Sequence, residues 1–288
     1  MFAKVIGWTL SALLLMSVTS CRTPILAQPQ EEELVEKAPS LDERLLFFPT
    51  KFPEGDWEPA QLRFEDVYFT AEDGTKLHGW YCPAETPKAV LLVAHGNAGH
   101  VASRAPWLKY LQERAKVTVF MFDYRGYGRS EGRPTVDGAI QDAVAARAKL
   151  CELAKVKDSE ILLMGESLGG AIVVQLVAKS APRGLILQST FSSLRDIAEC
   201  HFPALAWVVP PEKLNSATAI SNYKGELLIS HGTMDATIPF ALGEKIFQNA
   251  NEPKEFVSIE NVGHNDWMTE SYLKKLDEFI DRVGKSSK

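Results

Sequence analysis

The sequence predicts an α/β protein with a mostly parallel sheet and helices on both faces. Apolar, β-branched runs such as AVLLVAHG (89–96) and VTVFMFDYRG (117–126) are typical of strands buried on both faces. Segments with helical spacing separate these runs, for example residues 134–154. A length of 288 residues with 45% hydrophobic content suits one such domain. Strands that alternate with helices imply βαβ units, and therefore a parallel sheet.

The globular pattern begins near Leu45. Residues 63–83 alternate apolar and polar side chains on both sides of Asp73-Gly74, which predicts a β-hairpin at the antiparallel edge of the sheet. Pro134 suits the first turn of a helix. The later elements are predicted in this order: strand 89–96, helix 103–114, strand 117–126, helix 134–154, strand 161–165, helix 167–179, strand 184–189, strand 226–232, helix 241–250, strand 255–263 and helix 271–283.

The first 20 residues read as an export signal. Lys4 precedes an apolar run over residues 5–18, and small residues precede Cys21. The run is shorter than the roughly 20 apolar residues that span a membrane. VTSC (18–21) resembles the lipobox of bacterial lipoproteins, which implies a lipidated Cys21 and anchoring in the bacterial cell envelope. An ordinary cleaved signal and an uncleaved anchor are the alternatives.

The expected organisation is a signal over 1–20, a lipidated cysteine and flexible tether over 21–40, and one domain over 41–288. The tether has three prolines and an acidic run at 31–33. A net charge of −6 without a Lys/Arg cluster predicts no nucleic-acid partner. We expect a monomer. The spacing of Cys82, Cys151 and Cys200 does not match a metal or redox motif, and the sequence leaves their pairing open.

The segment ILLMGESLGG (161–170) contains the pattern G-x-S-x-G around Ser167. A buried strand enters this segment and a helix leaves it, as a nucleophile elbow requires. Such a sharp turn strains the backbone of its central residue, and side chains larger than hydrogen at the flanking glycines would clash with the neighbouring backbone. We therefore predict that the turn lifts the Ser167 hydroxyl out of the sheet at its carboxyl end, where it acts as a nucleophile. An idle serine in a glycine-rich turn is the alternative.

A serine nucleophile needs a histidine base and a carboxylate that orients it. His264 follows the last predicted strand, and Asp235 follows the strand before it. Serine, then acid, then histidine is the chain order found in proteins whose nucleophile lies in such an elbow between a strand and a helix. Asp196 is not chosen as the acid because it lies in an irregular segment, where no strand positions it. Asp266 is not chosen because it follows His264 too closely in the sequence to lie on the far side of the imidazole. The predicted triad is Ser167, Asp235 and His264, and it requires no metal or cofactor.

Acyl transfer also needs N–H donors for the oxyanion. The N–H of Leu168, directly after the nucleophile, is the first candidate, and the backbone of Asn97 in HGNAGH (95–100) is the second. The glycines of that loop do not fit a phosphate-binding motif. His95 and His100 are expected to shape the loop, and residues 122–134, with Asp123 and Arg125, to form an architectural turn beside the site.

Together HGNAG, DYRGYGRSEG, GESLGG, HGTMDATIP and GHND resemble the α/β-hydrolases, over about residues 45–285. The pattern is most similar to lid-poor serine hydrolases related to membrane-associated depalmitoylases and to serine aminopeptidases. LLFFPT (45–50) resembles the entry segment of that group. The resemblance implies an α/β-hydrolase fold and the same site positions: Ser167, Asp235, His264, Leu168 and Asn97.

Residues 191–225 are the position of a lid in this family. We expect a short helical flap here, with Phe191, Phe202 and Trp207 as candidate residues of an acyl pocket. Alternatively, these side chains only cover the sheet and do not form a pocket. The predicted function is cleavage of a small-molecule ester or thioester through an acyl-enzyme. A serine aminopeptidase-type peptidase and a non-catalytic, surface-anchored binding protein remain as alternatives.

Overall fold

A computed structural model describes residues 41–284 except residue 179. The predicted export signal, Cys21 and the tether lie outside the described residues. Two parallel strands, β1 (Phe48–Pro49) and β5 (Ala98–Gly99), form a small sheet of their own. The main sheet has eight strands. They are β2 (Glu65–Thr70), β3 (Lys76–Cys82), β4 (Ala89–Ala94), β6 (Val117–Asp123), β7 (Leu162–Glu166), β8 (Gly184–Gln188), β9 (Glu226–Gly232) and β10 (Lys254–Ile259).

The main sheet is parallel except at β3, which is antiparallel to both of its neighbours. The strand order is β10-β9-β8-β7-β4-β6-β3-β2. The hairpin predicted around Asp73-Gly74 is therefore confirmed, and it supplies the outer edge next to β6. The strand that leads to Ser167 lies near the middle of the sheet, between β4 and β8.

Helices cover both faces of this sheet. They are α1 (Leu41–Leu46), α2 (Ala105–Glu113), α3 (Val136–Ala154), α4 (Leu168–Val177), α5 (Leu194–His201), α6 (Ser216–Ile220), α7 (Phe240–Asn249) and α8 (Glu270–Gly284). Side chains of α3, α4, α6 and α7 share one apolar core, and those of α2 and α8 share a second. Alternate residues of β4 belong to the two cores, Leu92 to the first and Leu91 and Val93 to the second. The apolar runs are continuous because both faces are buried.

Two predicted helix starts differ from the structure by two residues. Helix α3 begins at Val136 rather than at Pro134, because the Thr135 hydroxyl accepts a hydrogen bond from the Gly138 N–H and caps the helix. A 3-10 turn, Val101–Arg104, precedes α2. Further 3-10 turns lie at Asp158–Glu160 and Ala206–Val208. Of the helices described between residues 41 and 284, none is long and apolar enough to cross a membrane.

Candidate active site

Ser167 occupies the single-residue turn between β7 and α4. Its φ of 55° and ψ of −119° lie outside the ordinary regions for a side-chain-bearing residue. A Cβ built on Gly165 would lie 2.4 Å from the backbone of Gly169, and one built on Gly169 would lie 2.0 Å from the carbonyl oxygen of Ala94. The elbow therefore has room only for glycine at both positions.

Two hydrogen bonds hold the strained residue in place. The Ser167 N–H donates to the carbonyl oxygen of Gln188 at 2.9 Å, and the Thr190 hydroxyl donates to the carbonyl oxygen of Ser167 at 2.7 Å. Both partners belong to β8 or to the loop that follows it. Strain of about 1–3 kcal/mol persists only where the surroundings fix the backbone, and here the neighbouring strand does so.

The structure brings Ser167, His264 and Asp235 into one hydrogen-bonded chain. His264 Nε2 lies 3.1 Å from Ser167 Oγ, and His264 Nδ1 lies 2.7 Å from Asp235 Oδ2. Asp235 is in the loop after β9, and His264 is in the loop after β10. Because β7, β9 and β10 are parallel, their carboxyl ends meet at one edge of the sheet. This geometry lets the imidazole accept a proton from the serine while the carboxylate orients it.

Asp235 is almost fully buried. Burial alone would raise the pKa of its carboxyl, but hydrogen bonds from His231 and His264 and from the Ile238 N–H hold that pKa well below its ordinary value. The N–H groups of Thr237 and Ile238 donate to Oδ1 at 2.9 and 2.8 Å. The carboxylate is therefore ionised at neutral pH and has one oxygen directed at His264.

His231 is a neighbour of the site that the sequence reasoning missed. It lies on β9, fully buried, with Nε2 2.8 Å from the carbonyl oxygen of Ile238 and 3.4 Å from Asp235 Oδ2. Since Nε2 has a carbonyl oxygen as its partner, it carries the proton. The i, i+4 spacing to Asp235 is the only sequence signal for this contact.

Leu168 and Asn97, the candidate oxyanion donors, both line the pocket beside Ser167. Leu168 is the first residue of α4, where backbone N–H groups have no acceptor within the helix. Asn97 is fixed by its side-chain amide, which donates to the carbonyl oxygen of Leu46 at 3.1 Å. Its own carbonyl oxygen accepts from the Phe48 N–H at 3.0 Å and from the Tyr127 hydroxyl at 2.8 Å.

Residues 122–134 form a tightly bonded turn, as their predicted architectural role requires. Asp123 is fully buried and accepts from the Val101 N–H at 2.8 Å, which ties the turn to the loop after β4. The Arg125 guanidinium binds Asp142 of α3 at 2.8 Å and Asp73 of the hairpin at 2.7 Å. The His95 ring packs at a tilted angle against Tyr124 of this turn, with the ring centroids 4.7 Å apart. These contacts position the Asn97 loop.

An apolar pocket of about 230 Å³ opens beside Ser167. It is lined by Leu45, Leu46, Asn97, Ser167, Leu168, Phe191, Leu194, Ile197, Ala198, His201, Phe202, Leu205, Val208, Val209, Thr237 and Ile238. Phe191 and Phe202 thus lie where the sequence analysis expected pocket residues. Helix α5 and the 3-10 turn after it form one wall as a short helical flap. The contribution of α1 was not predicted, because Leu45 and Leu46 show no pattern that points to a site.

The prediction that Trp207 lines this pocket is wrong. Its side chain is 76% exposed, and its indole N–H donates to the carbonyl oxygen of Ala204 at 3.1 Å. Trp207 is in the 3-10 turn Ala206–Val208, in which successive side chains point about 120° apart. Val208 faces the pocket, and its neighbour therefore faces away.

Asp196, which the sequence analysis set aside as the acid, has a different role. It binds Lys245 of α7 at 2.8 Å and fastens the flap helix to the domain. Cys82, Cys151 and Cys200 are free thiols. In the part of the chain that the structure describes, no group of three or more His, Cys, Asp or Glu side chains is arranged to hold a metal ion.

Comparison with known proteins gives the family. The chain is 30% identical over 250 residues to the "Alpha/beta hydrolase domain-containing protein WAV2" of Arabidopsis thaliana, a match that covers 78% of this chain and 81% of that protein. This chain belongs to the α/β-hydrolase superfamily. Residues 85–219 of this α/β hydrolase also match the family described as "Serine aminopeptidase, S33".

Two further comparisons extend the assignment. This α/β hydrolase is 33% identical over 234 residues to the uncharacterised protein YfhR of Escherichia coli (strain K12), which covers 77% of this chain and 82% of YfhR. The solved structure of the Pyrococcus furiosus esterase Pf2001 superposes with a TM-score of 0.69 at 18% identity. That superposition covers 83% of this chain and 99% of the esterase, and at such low identity it shows a shared fold.

Proposed function

We propose that this α/β hydrolase is a serine esterase or thioesterase that cleaves small acyl substrates through an acyl-enzyme. The observation that carries the proposal is the hydrogen-bonded chain from Ser167 through His264 to Asp235, beside an apolar pocket that Ser167 itself lines. A serine hydroxyl becomes a nucleophile only with such a base and orienting carboxylate.

In the proposed reaction, His264 Nε2 takes the proton of Ser167 as Oγ attacks the carbonyl carbon of the substrate. The N–H groups of Leu168 and Asn97 stabilise the negative oxygen that forms. His264 then gives the proton to the leaving oxygen or sulfur, and the acyl group remains on Ser167. His264 then deprotonates a water molecule, which attacks the acyl-enzyme; the bond to Ser167 Oγ breaks, His264 returns the proton to Oγ, and the carboxylic acid is released. Asp235 holds the proton on Nδ1 and stabilises the charged imidazole.

The lining of the pocket favours an apolar acyl group over an amino terminus. No Asp, Glu, Lys or Arg side chain lines it among the described residues. An aminopeptidase needs a carboxylate to bind the ammonium group of its substrate, because an unpaired charge in an apolar site is costly. The fold neighbour named an esterase supports the same choice. Esters and thioesters present a neutral acyl chain that fits such walls.

The first test is active-site labelling with a fluorophosphonate probe. We expect labelling of the wild-type chain and none of Ser167→Ala. An unlabelled wild type with native circular dichroism would favour the non-catalytic binding protein instead. Equal labelling of both chains would place the nucleophile elsewhere.

The second test separates the substrate classes. We expect turnover of p-nitrophenyl esters or acyl thioesters, graded by chain length, and none of aminoacyl p-nitroanilides. The family description "Serine aminopeptidase, S33" makes the peptidase the second candidate. Cleavage of the anilides without cleavage of any ester would establish that candidate and overturn the proposal.

A further inference from the structure

Exposed apolar side chains line the mouth of the pocket or lie next to it on the flap turn Ala206–Val208, and we call this group the rim. The rim consists of Leu45, Phe202, Leu205, Trp207 and Val208. Each is between 50% and 76% exposed, and all except Trp207 also line the pocket. Single exposed apolar residues are common on proteins, but several exposed apolar side chains grouped at one pocket indicate an interaction surface.

The chemistry of the rim suits hydrocarbon better than water. The pocket beside it has no Asp, Glu, Lys or Arg side chain among its described lining residues. The most exposed member is Trp207, whose indole N–H already donates to the backbone at Ala204. Moving this ring out of water therefore leaves no donor unpaired. Tryptophan is also the side chain that accumulates at membrane interfaces.

The sequence of residues 1–40 bears on which apolar partner the rim would meet. Helix α1 begins at Leu41, four residues before rim member Leu45. The preceding sequence contains the apolar run 5–18 and the predicted lipidated Cys21. In the sequence, 19 residues separate that cysteine from Leu41, and flexible linkers of that length generally span about 25 Å r.m.s.. The sequence before Leu41 therefore favours a lipid bilayer as the occupant of the rim.

We propose that the rim is a membrane-docking surface that seats the mouth of the pocket in the outer hydrocarbon of a lipid bilayer. The rim inserts through apolar contact and not through charge, so it requires no anionic lipid. Its purpose rests on the proposed function: an acyl substrate dissolved in the bilayer passes from the lipid into the pocket without crossing water. The docking itself requires no turnover.

The direct test is fluorescence quenching with the full-length chain bound to phosphatidylcholine vesicles whose acyl chains are brominated. The wild-type chain and Trp207→Phe share every other tryptophan, so the difference between them reports Trp207 alone. We expect stronger quenching of the wild type, and the same difference in the Ser167→Ala background. Because that background has no nucleophile, the result is independent of the hydrolase proposal.

Equal quenching of the wild type and Trp207→Phe would overturn the docking proposal. That result is expected if a second copy of the chain, a protein partner or residues 1–40 cover the rim, since each would shield Trp207 from lipid. Cross-linking of the two chains in the same vesicles identifies a second copy as the cover.

A second test compares the rate of hydrolysis of an ester embedded in vesicles with the rate of hydrolysis of an ester dissolved in water. We expect Trp207→Ser to lower the ratio of the rate on a vesicle-borne long-chain ester to the rate on a soluble short-chain ester by about fivefold. Tyr68→Ser is the matched control, because Tyr68 is 61% exposed on β2 and lies outside the rim. An equal ratio in both variants would contradict a role for the rim in substrate uptake.

Discussion

His231 Nε2 lies 3.4 Å from Asp235 Oδ2, so the candidate acid contacts a second, buried histidine besides His264. The imidazole of His231 fits only because residue 243 on α7 has no side chain. A Cβ built on Gly243 would lie 2.3 Å from His231 Nδ1. The position of the acid therefore depends on a contact between β9 and α7.

The first prediction concerns this contact. In an ordinary helix interior Gly→Ala stabilises by about 1 kcal/mol, but here the new methyl group collides with His231. We expect Gly243→Ala to lower kcat for an ester substrate by displacing His231 and with it Asp235, while KM changes little. Steady-state kinetics measures both constants.

A double-mutant cycle provides the control for the first prediction. In a His231→Ala background the collision is absent, and Gly243→Ala should cause no further loss of kcat. Equal losses in both backgrounds would show that Gly243 acts independently of His231.

The second prediction concerns the elbow. Gly169→Ala places a Cβ 2.0 Å from the carbonyl oxygen of Ala94, and the backbone of β4 cannot move away without breaking the sheet. We expect a loss of about 3 kcal/mol or more in the free energy of unfolding, measured by urea denaturation. Gly96→Ala is the control, because its nearest neighbour, Ser167 Cβ, lies at an ordinary 3.6 Å. Similar stabilities of the two variants would contradict the steric explanation.

The third prediction concerns Asp235 and acid. Because the folded-state pKa of this carboxyl is lowered, its contribution to stability is complete above the unfolded-state pKa of about 3.9 and is lost as the pH falls toward the folded value. Asp235→Asn removes the titration. We expect its free energy of unfolding to fall less steeply below about pH 4, by up to about 1.4 kcal/mol per pH unit.

The same variant tests catalysis at neutral pH. Asparagine keeps the shape but cannot stabilise the charged imidazole, so kcat should fall by about 10³–10⁴-fold. Parallel stability curves for the wild type and Asp235→Asn below pH 4 would contradict the lowered pKa. An unchanged kcat would remove Asp235 from the proposed mechanism.

The fourth prediction concerns the size of the pocket. Leu194 is buried at the start of the flap helix and lines the pocket. Leu194→Phe should fill part of the pocket and lower kcat/KM for long-chain esters about tenfold more than for the acetate, since one lost methylene site is worth about 1–3 kcal/mol. Leu205→Phe, at the half-exposed mouth, should leave the preference for chain length as it is. If both variants changed the preference for chain length equally, the acyl chain would not bind beside Leu194.

Much of the fold could be read from local pattern. The alternation of apolar strands and helices, the hairpin at Asp73-Gly74 and the elbow at Ser167 each depend on neighbouring residues. The meeting of Ser167, Asp235 and His264 also follows from the sequence, because each comes directly after a strand of one parallel sheet. Parallel strands bring their carboxyl ends to a common edge whatever their order.

Only the tertiary structure decided the strand order, the partners of the acid and the walls of the pocket. The flap, α1 and the loop at Thr237–Ile238 are far apart in the chain and meet through packing that no short pattern encodes. Trp207 is the clearest example. The local sequence does not determine whether an apolar residue in this 3-10 turn faces the pocket or the water. The close approach of α7 to β9 likewise determines that only glycine fits at position 243, next to His231. Sequence periodicity determines which segments form strands and helices, and close packing between distant segments determines the direction of each side chain.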